Sequence, residues 1–379
     1  MNGESVVANA RLVLPDCVST GSLVLRGGRI AAVQPGPGIP SRAEDLDGDF
    51  LLPGVVDVHT DNLERQVQPR SNARWPSRSA LVAHDAQCAA AGVTTVLDAL
   101  CLGHLGYEKD RKQTFRDGVA DLDALADTDL LKAEHYLHLR CEVPASDMLE
   151  LLDPVIEHPR VRMVSLMDHT PGYGQYADID LYRTLRRRDG WDPATIERSI
   201  GEVQERRARH AEPNRRALLD RVAGRRLALA SHDDRTEAEV ARNDADGIRI
   251  AEFPVTMTAA QAARARGMQV IAGAPNIVRG GSHAGNVDAA DLVRAGAVDA
   301  FASDYVPASL VEAAFLCVGL TGIALHEAVA LITHRPAQMA LLEDRGRIAA
   351  GLRADLVRVR VHEGLAVVRQ VWRAGERVA

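Results

Sequence analysis

Lysine is scarce in this sequence. Of the 45 basic residues in 379, only Lys109, Lys112 and Lys132 are lysines, so we expect any anion-binding site to use arginine. Aromatic residues are also few, with five Phe, six Tyr and three Trp, which leaves few platforms on which nucleic-acid bases could stack. The formal net charge of −7 offers no overall attraction for a polyanion. A nucleic-acid partner is therefore not expected.

Cysteine pairs of the CxxC type are absent, and the five cysteines form an odd number. This usage is typical of a reducing compartment. The N-terminus lacks a basic stretch followed by an apolar run. The most apolar long stretch, residues 310–332, contains Glu312, His326 and Glu327, so we expect two packed helices there instead of a membrane span. These features predict a cytoplasmic protein with no membrane partner, and they leave open whether it forms a homo-oligomer.

Short apolar segments separated by turns occupy both ends of the chain. In the first fifty residues, Gly27 and Gly28 are placed for a β-hairpin turn. Near the C-terminus, Glu363 and Gly364 separate two further apolar segments. We therefore predict a small composite β-sandwich domain built from residues 1–53 and 335–379.

Between these ends, eight β-branched runs alternate with helical patterns. They cover residues 55–59, 94–100, 135–143, 161–169, 226–234, 248–256, 268–276 and 300–304. Eight is the number of strands in a (β/α)₈ barrel, so the predicted fold class is α/β, with a TIM-like barrel over residues 54–334. Residues 170–225 are too many for an ordinary loop, and we expect a helical insertion over the barrel mouth.

Polar residues cluster where the predicted strands end. In a (β/α)₈ barrel these ends share one face, on which the active site is built. They carry His59, Asp61, Asp98, Glu142, Asp168, His169, His232, Asp233, Asp234, Glu252, Asn276 and Asp304. Buried carboxylates and imidazoles at one rim are costly without a cation, so we expect a divalent metal site. Imidazole and carboxylate ligands suit Zn²⁺, Mn²⁺, Fe²⁺ and Ni²⁺ alike.

Each candidate also has a purely structural interpretation. Asp61 could cap the helix that follows it, and Glu142 could pair with Arg140. His232 could be a hydrogen-bonded core histidine, and Asp304 could cap the next helix. Of the neighbours Asp168 and His169, the sequence does not decide which one faces the metal.

Eight segments together resemble a known family. They are HTDNLE (59–64), AHDA (83–86), GVTTVLDA (92–99), HLRCEV (138–143), SLMDHTPG (165–172), ASHDD (230–234), GAPNIVRGGSHAGN (273–286) and SDYVP (303–307). They resemble the PhnM family of the amidohydrolase superfamily, whose members are alpha-D-ribose 1-methylphosphonate 5-triphosphate diphosphatases of the carbon–phosphorus lyase pathway. The resemblance implies a metal-dependent cytoplasmic hydrolase whose small-molecule substrate is a ribosyl triphosphate, cleaved to the 5-phosphate and pyrophosphate.

The resemblance also implies the roles of individual residues. The metal ligands it implies are His59, Asp61, Glu142, His169 and His232, holding one or two ions, with zinc as the expected metal. Asp304 is implied as the general base. The chain departs from the common superfamily pattern in having HxD where HxH is usual. No lysine stands at a strand end after Lys132, so we expect Glu142 to bridge in place of a carbamylated lysine.

The loop after the seventh predicted strand is the expected phosphate site. It contains Arg279, Gly280, Gly281, Ser282 and His283, and the two glycines could shape an anion-binding nest of backbone N–H groups. Further candidates near the site are Asp168, Glu252, Lys109 and Arg111.

Two other functions remain open from the sequence. One is an amidohydrolase acting on a C–N bond of a phosphorylated sugar or a cyclic amide, which would share the metal site but would not need clustered cations. The other is a non-catalytic assembly protein, which is disfavoured because every candidate ligand position is occupied.

Overall fold

The computed structural model of the protein describes residues 4–70, 73–105, 110–282 and 285–379. Within these ranges the strands form two sheets of eight. In chain order the strands are β1 (Glu4–Val13), β2 (Val18–Arg26), β3 (Arg29–Pro35), β4 (Glu44–Asp45), β5 (Phe50–Pro53), β6 (Val55–Thr60), β7 (Val93–Leu102), β8 (Glu134–Glu142), β9 (Val161–Met167), β10 (Ala228–His232), β11 (Ile250–Glu252), β12 (Gln269–Gly273), β13 (Ala300–Ala302), β14 (Leu356–His362), β15 (Leu365–Arg373) and β16 (Glu376–Arg377).

Strands β6 to β13 form the predicted barrel. Each pairs in parallel with the next one along the chain. The barrel closes where Thr60 pairs in parallel with Asp304, and the N–H of Asp304 donates to the carbonyl of His59 at 3.0 Å. Each of the eight predicted runs overlaps one barrel strand, and the (β/α)₈ prediction is confirmed.

The barrel strands read as continuous apolar runs because both of their faces are buried. On β7, for example, every position from Val93 to Leu102 is buried. Val56, Met163, Ile250 and Ile271 belong to one apolar cluster with Val58 and Leu97, whereas Leu139 and Cys141 of β8 pack with residues of the surrounding helices. Glu142, His232 and Glu252 are the last residues of β8, β10 and β11.

Helices occupy the connections between the barrel strands. In the described part of the chain they are α1 (Asn62–Val67), α2 (Ser77–Ala90), α3 (Arg111–Leu125), α4 (Met148–Leu152), α5 (Ile179–Arg188), α6 (Pro193–Val222), α7 (Glu237–Ala245), α8 (Met257–Ala265), α9 (Ala274–Arg279), α10 (Ala289–Arg294), α11 (Ser309–Thr321), α12 (Leu325–Ala330) and α13 (His334–Met339), with a 3₁₀ turn at Gly174–Tyr176.

The second sheet is built from both ends of the chain, as predicted. Its strand order is β16-β15-β14-β5-β1-β2-β3, with β4 paired to β1. Parallel and antiparallel pairs are mixed in it. The predicted hairpin turn between β2 and β3 is present, with positive φ at Gly27 and Gly28 of 56° and 76°. The exact domain boundaries stay a prediction.

The long connection after β9 is helical, as expected, and α6 is fixed over the barrel rim. Asp192 caps the start of α6 by accepting a hydrogen bond from the N–H of Thr195, and Pro193 occupies the first helical position. Further along α6, the amide of Asn214 donates to the carbonyls of Val143 and Ala145 at 2.9 and 2.8 Å. The insertion is thereby anchored to the loop that follows β8.

The apolar stretch 310–332 forms the two helices α11 and α12, as predicted. Among the described residues, no helix combines the length and the hydropathy needed to cross a membrane.

Candidate active site

Three non-glycine residues at the barrel rim have left-handed backbone conformations. Asp233, Phe253 and Asp304 follow β10, β11 and β13 with φ values of 59°, 53° and 55°. Their N–H groups still donate across to neighbouring strands; that of Asp233, for instance, bonds the carbonyl of Glu252 at 2.9 Å. Such conformations cost free energy in non-glycine residues and concentrate at functional sites.

Glu252 at the end of β11 orients two histidines. One of its oxygens lies 2.7 Å from Nδ1 of His59, and the other lies 2.7 Å from Nδ1 of His232. Burial opposes charge on His59, but Glu252 raises the pKa of His59 to about 10. Because Nδ1 of each ring is occupied, Nε2 of each ring is left for another partner.

The first group of candidate ligand atoms lies around Nε2 of His59. One atom each from His59, Asp61 and Asp304 falls within 4.8 Å of the others, and Nε2 of His59 is 3.5 Å from Oδ1 of Asp61. This Nε2 is buried and has no hydrogen-bond partner among the described residues. Burial, followed by the charge of Asp61, raises the pKa of Asp304 to about 6.

The second group contains His169, His232 and Asp233. Oδ2 of Asp233 lies 3.7 Å from Nε2 of His169 and 3.6 Å from Nε2 of His232. This oxygen is also buried without a hydrogen-bond partner in the described ranges. Two adjacent groups of imidazole and carboxylate donors, each with an unpartnered buried atom, are suited to hold divalent cations.

Glu142 lies behind one of these histidines. Its Oε1 accepts a hydrogen bond from the backbone N–H of His169 at 2.8 Å, and its Oε2 is 2.7 Å from Nδ1 of the same residue. Burial raises the pKa of Glu142, but His169 outweighs this effect and holds the pKa below its ordinary value. The structure thus places Glu142 where it orients His169, and not in the ligand groups around His59 or Asp233.

The choice between Asp168 and His169 is resolved by α6. Oδ2 of Asp168 accepts a hydrogen bond from Nε of Arg207 at 2.6 Å, and that guanidinium is stacked 3.4 Å from the ring centre of Tyr173. Asp168 therefore faces the insertion, and His169 faces the candidate ligand atoms.

The structural alternatives for Asp61 and Asp304 are not adopted. Asp61 stands at the N-terminus of α1, but its side chain makes no capping hydrogen bond. It accepts a hydrogen bond from Arg140 at 2.5 Å, so Arg140 pairs with Asp61 and not with Glu142. Helix α11 begins after Ala308, and Asp304 does not cap it.

A third cluster of titratable groups lies between α2 and the barrel. Asp98 contacts Nε2 of His84 at 2.7 Å and Nδ1 of His135 at 2.8 Å, and the far nitrogen of His135 is 3.2 Å from Asp85. The ring nitrogen Nδ1 of His84 is 2.9 Å from the amide of Asn62. These groups satisfy one another, so Asp98 belongs to a structural network apart from the rim.

The candidate phosphate loop borders the metal-ligand groups. A cavity of about 300 Å³ is lined by His59, Asp61, Arg140, His232, Asp304, Arg279, Gly281 and Ser282, among others. The expected nest of glycine N–H groups is not formed: Gly280 ends α9 with φ 73°, and the N–H groups of Gly280 and Gly281 donate to the carbonyls of Ile277 and Asn276. These donors already cap the helix, so the structure leaves the side chains of Arg279 and Ser282 as the groups that face the cavity.

The other candidates near the loops have varied positions. Arg111 starts α3, 4.0 Å from Glu64, while His283 and Lys109 lie outside the described residues. The sequence places Asp233 among the polar residues at the strand ends but not in the expected ligand set, and it gives Arg140 only a structural role as a partner of Glu142.

Comparison with known proteins places these features in a family context. The chain is 41% identical over 376 residues, 98% of its length and all of the other protein, to the alpha-D-ribose 1-methylphosphonate 5-triphosphate diphosphatase of Escherichia coli K12. It is 27% identical to a D-hydantoinase of Rhizobium radiobacter over 182 residues, 48% of this chain and 36% of that protein. No protein-family model matches the chain.

Solved structures share the fold. N-acetyl-D-glucosamine-6-phosphate deacetylase from Mycobacterium smegmatis superposes with a TM-score of 0.64 at 17% identity, covering 99% of this chain and all of that one. The 5-methylcytosine deaminase of Klebsiella pneumoniae gives 0.63 at 15% identity, covering 99% and 97%. At these identities the likeness is one of architecture.

Proposed function

The chain belongs to the alpha-D-ribose 1-methylphosphonate 5-triphosphate diphosphatase family, and from this premise we propose that it hydrolyses that ribosyl triphosphate to the 5-phosphate and pyrophosphate in phosphonate catabolism. The observation that carries the proposal is family membership over nearly the whole of both chains. The cavity beside the ligand groups adds support, because the guanidinium groups of Arg140 and Arg279 line it and suit a polyanion.

The enzyme is proposed to bind one or two divalent cations, with zinc as the first candidate. The unpartnered buried atoms Nε2 of His59 and Oδ2 of Asp233 support this assignment. His59 and Asp61 would hold one position, with Asp304 beside them as the base, and His169, His232 and Asp233 would hold the other. Glu252 and Glu142 would keep the histidine rings in the orientation that presents Nε2.

A divalent cation in such a site neutralises charge on phosphoryl oxygens and lowers the pKa of water. Among the chain's own residues, Asp304 is proposed to accept the proton from the attacking water. Its raised pKa of about 6 fits a base that has to bind a proton during the reaction. Arg279 is proposed to face the departing pyrophosphate, whose negative charge grows as the P–O bond breaks.

Hydrolysis of a C–N bond is the competing function. The D-hydantoinase likeness favours it, but that match covers 48% of this chain at 27% identity. Arg140 and Arg279 in the cavity wall favour a substrate with several negative charges, such as a ribosyl triphosphate, over a neutral cyclic amide. We also propose a cytoplasmic location, which the five free cysteines support.

Phosphorus NMR of a digest tests the proposal. The metal-loaded protein, given alpha-D-ribose 1-methylphosphonate 5-triphosphate, should release pyrophosphate and the 5-phosphate in equal amounts. Hydantoin and N-acetylglucosamine 6-phosphate serve as comparison substrates. Ring opening or deacetylation without release of pyrophosphate would overturn the assignment.

A further inference from the structure

Arg140 is a buried cation in the wall of the reaction cavity. Side chains two residues apart on a strand face the same side, and on β8 the side chains of His138 and Arg140 point away from the outer core that contains Leu139. Arg140 is 6% exposed and lines the same cavity as Asp61 and Asp304.

Asp61 holds this guanidinium from one side. Nη1 of Arg140 donates to Oδ1 of Asp61 at 2.5 Å. Nε of Arg140 is buried and has no hydrogen-bond partner within the described ranges. The carboxylate of Asp61 therefore supplies counter-charge to Arg140, while part of the hydrogen-bonding capacity of the guanidinium is unused.

The same carboxylate is shared with the first ligand group. Oδ1 of Asp61 is also 3.5 Å from Nε2 of His59, and Asp61 and Asp304 belong to one group of candidate ligands. A cation bound beside His59 and Asp61 would share the negative charge of the Asp61 carboxylate with Arg140. A buried guanidinium whose charge is only partly neutralised raises the free energy of the folded protein. An anionic ligand in the cavity would complete the neutralisation.

Resting on the proposed function, we propose that Arg140 binds non-bridging oxygens of the α-phosphoryl group of the substrate and thereby selects a phosphoryl centre over an amide. The planar guanidinium matches the geometry of phosphoryl oxygens. Arg140 contacts Asp61 beside the ligand groups, whereas Arg279 comes from the end of α9. The two arginines would therefore contact different phosphoryl groups, Arg140 the one that is attacked and Arg279 the pyrophosphate that leaves.

Two ligands separate these contacts in a binding experiment. Ribose 5-phosphate carries the phosphoryl group that stays on the sugar, and inorganic pyrophosphate represents the leaving group. Calorimetry on metal-loaded protein should show that Arg140→Gln weakens ribose 5-phosphate binding by roughly 10- to 100-fold, with partial recovery in Arg140→Lys. The pyrophosphate affinity should change less. Arg226→Gln is the matched control, because Arg226 is exposed and pairs with Glu343 on the surface.

Metal content distinguishes phosphate binding from simple support of Asp61. We expect Arg140→Gln to retain its metal, while kcat/KM for the triphosphate falls. Metal loss in Arg140→Gln, or an unchanged affinity for ribose 5-phosphate, would overturn the inference. If the parent protein releases no pyrophosphate, the proposed function fails by itself. The dependence of ribose 5-phosphate binding on Arg140 would then still decide whether this anion site exists.

Discussion

Glu142 holds His169 at two points, through the backbone N–H at 2.8 Å and through Nδ1 at 2.7 Å. This double contact fixes both the position of the chain after β9 and the orientation of the ring. Nε2 of His169 is thereby directed towards Asp233. The carboxylate acts on a candidate ligand from behind, as the outer partners of metal-binding histidines commonly do.

Replacing Glu142 should therefore weaken metal binding without abolishing it. We expect Glu142→Gln to lower metal affinity by about 10- to 100-fold, because His169 keeps its position less well. His59→Ala and His232→Ala should each lose the metal at the position to which the replaced histidine is assigned, since each removes a proposed ligand. Elemental analysis and competition with a chelator measure these effects. If the Glu142→Gln variant contains as little metal as the His232→Ala variant, Glu142 is itself a ligand.

Asp304→Asn should separate proton transfer from metal binding. If Asp304 is the base, the variant keeps its metal and loses turnover by about 10²–10⁴-fold. Burial and Asp61 raise the pKa of Asp304 to about 6 without a metal, and wild-type turnover should fall at acidic pH as this carboxyl becomes protonated. A bound cation would shift this acidic limb to lower pH. A variant that loses its metal together with its turnover would make Asp304 a ligand first.

Isotope labelling locates the bond that breaks. Attack at the α phosphorus in ¹⁸O-water should place the label in the ribosyl 5-phosphate and leave pyrophosphate unlabelled. The reason is geometric, since Arg279 lies in the cavity beside the ligand groups and suits an outward-pointing pyrophosphate. Mass spectrometry measures the ¹⁸O content of both products. Label in pyrophosphate would mean that the β phosphorus is attacked.

Arg279→Ala should slow the reaction without disturbing the metal. Loss of one charged contact to the leaving group is expected to lower kcat/KM by roughly 10- to 1,000-fold. Steady-state kinetics with the triphosphate and elemental analysis of the same preparation provide the measurement, with Arg226→Ala as a surface control. Unchanged kinetics in Arg279→Ala would remove the loop after β12 from the leaving-group site.

Glu134 predicts a pH dependence of stability that is separate from catalysis. At the start of β8 it accepts a hydrogen bond from Arg345 at 2.7 Å and also contacts Arg353. Burial raises the pKa of Glu134, but the two arginines outweigh burial and lower it from 4.5 to about 2. A lowered pKa in the folded state stabilises the fold above pH 4.5 and loses that effect as the pH falls towards 2.

Thermal unfolding of Glu134→Gln tests this effect. The variant should melt below the wild type at neutral pH, and the difference should shrink as the pH decreases. Glu343→Gln is the control, because Glu343 is exposed and pairs with Arg226 at the surface. A difference in melting temperature that stays constant with pH would contradict the assignment.

The barrel could be predicted because its strands are short apolar runs that end in polar residues. VVDVH and AFASD both lie on strands that bring His59 and Asp304 to the closing seam. The direction of side chains beyond the last strand residue was not predictable. Side chains alternate between the two faces only within a strand. Beyond the strand end, the positive φ of Asp233 and Asp304 changes the direction of the chain.

The ion-pair partners of the charged residues in the site could not be predicted from the sequence either. Arg140 and Glu142 stand two residues apart, a spacing that suggests an ion pair, yet Arg140 contacts Asp61, which follows strand β6. Likewise, Asp168 is directed away from the site by Arg207, which is 39 residues further along. Such partners are determined by tertiary packing, and the spacing of nearby residues in the sequence does not predict them.

The mixed sheet has a consequence for the order in which the chain can fold during synthesis. Strand β5 pairs with β1 on one side and with β14 on the other, and 302 residues lie between Pro53, the last residue of β5, and Leu356, the first residue of β14. On the ribosome, β1 and β5 emerge before β14 has been translated. One side of β5 therefore remains an open strand edge, available to other chains, until β14 has been translated and pairs with it.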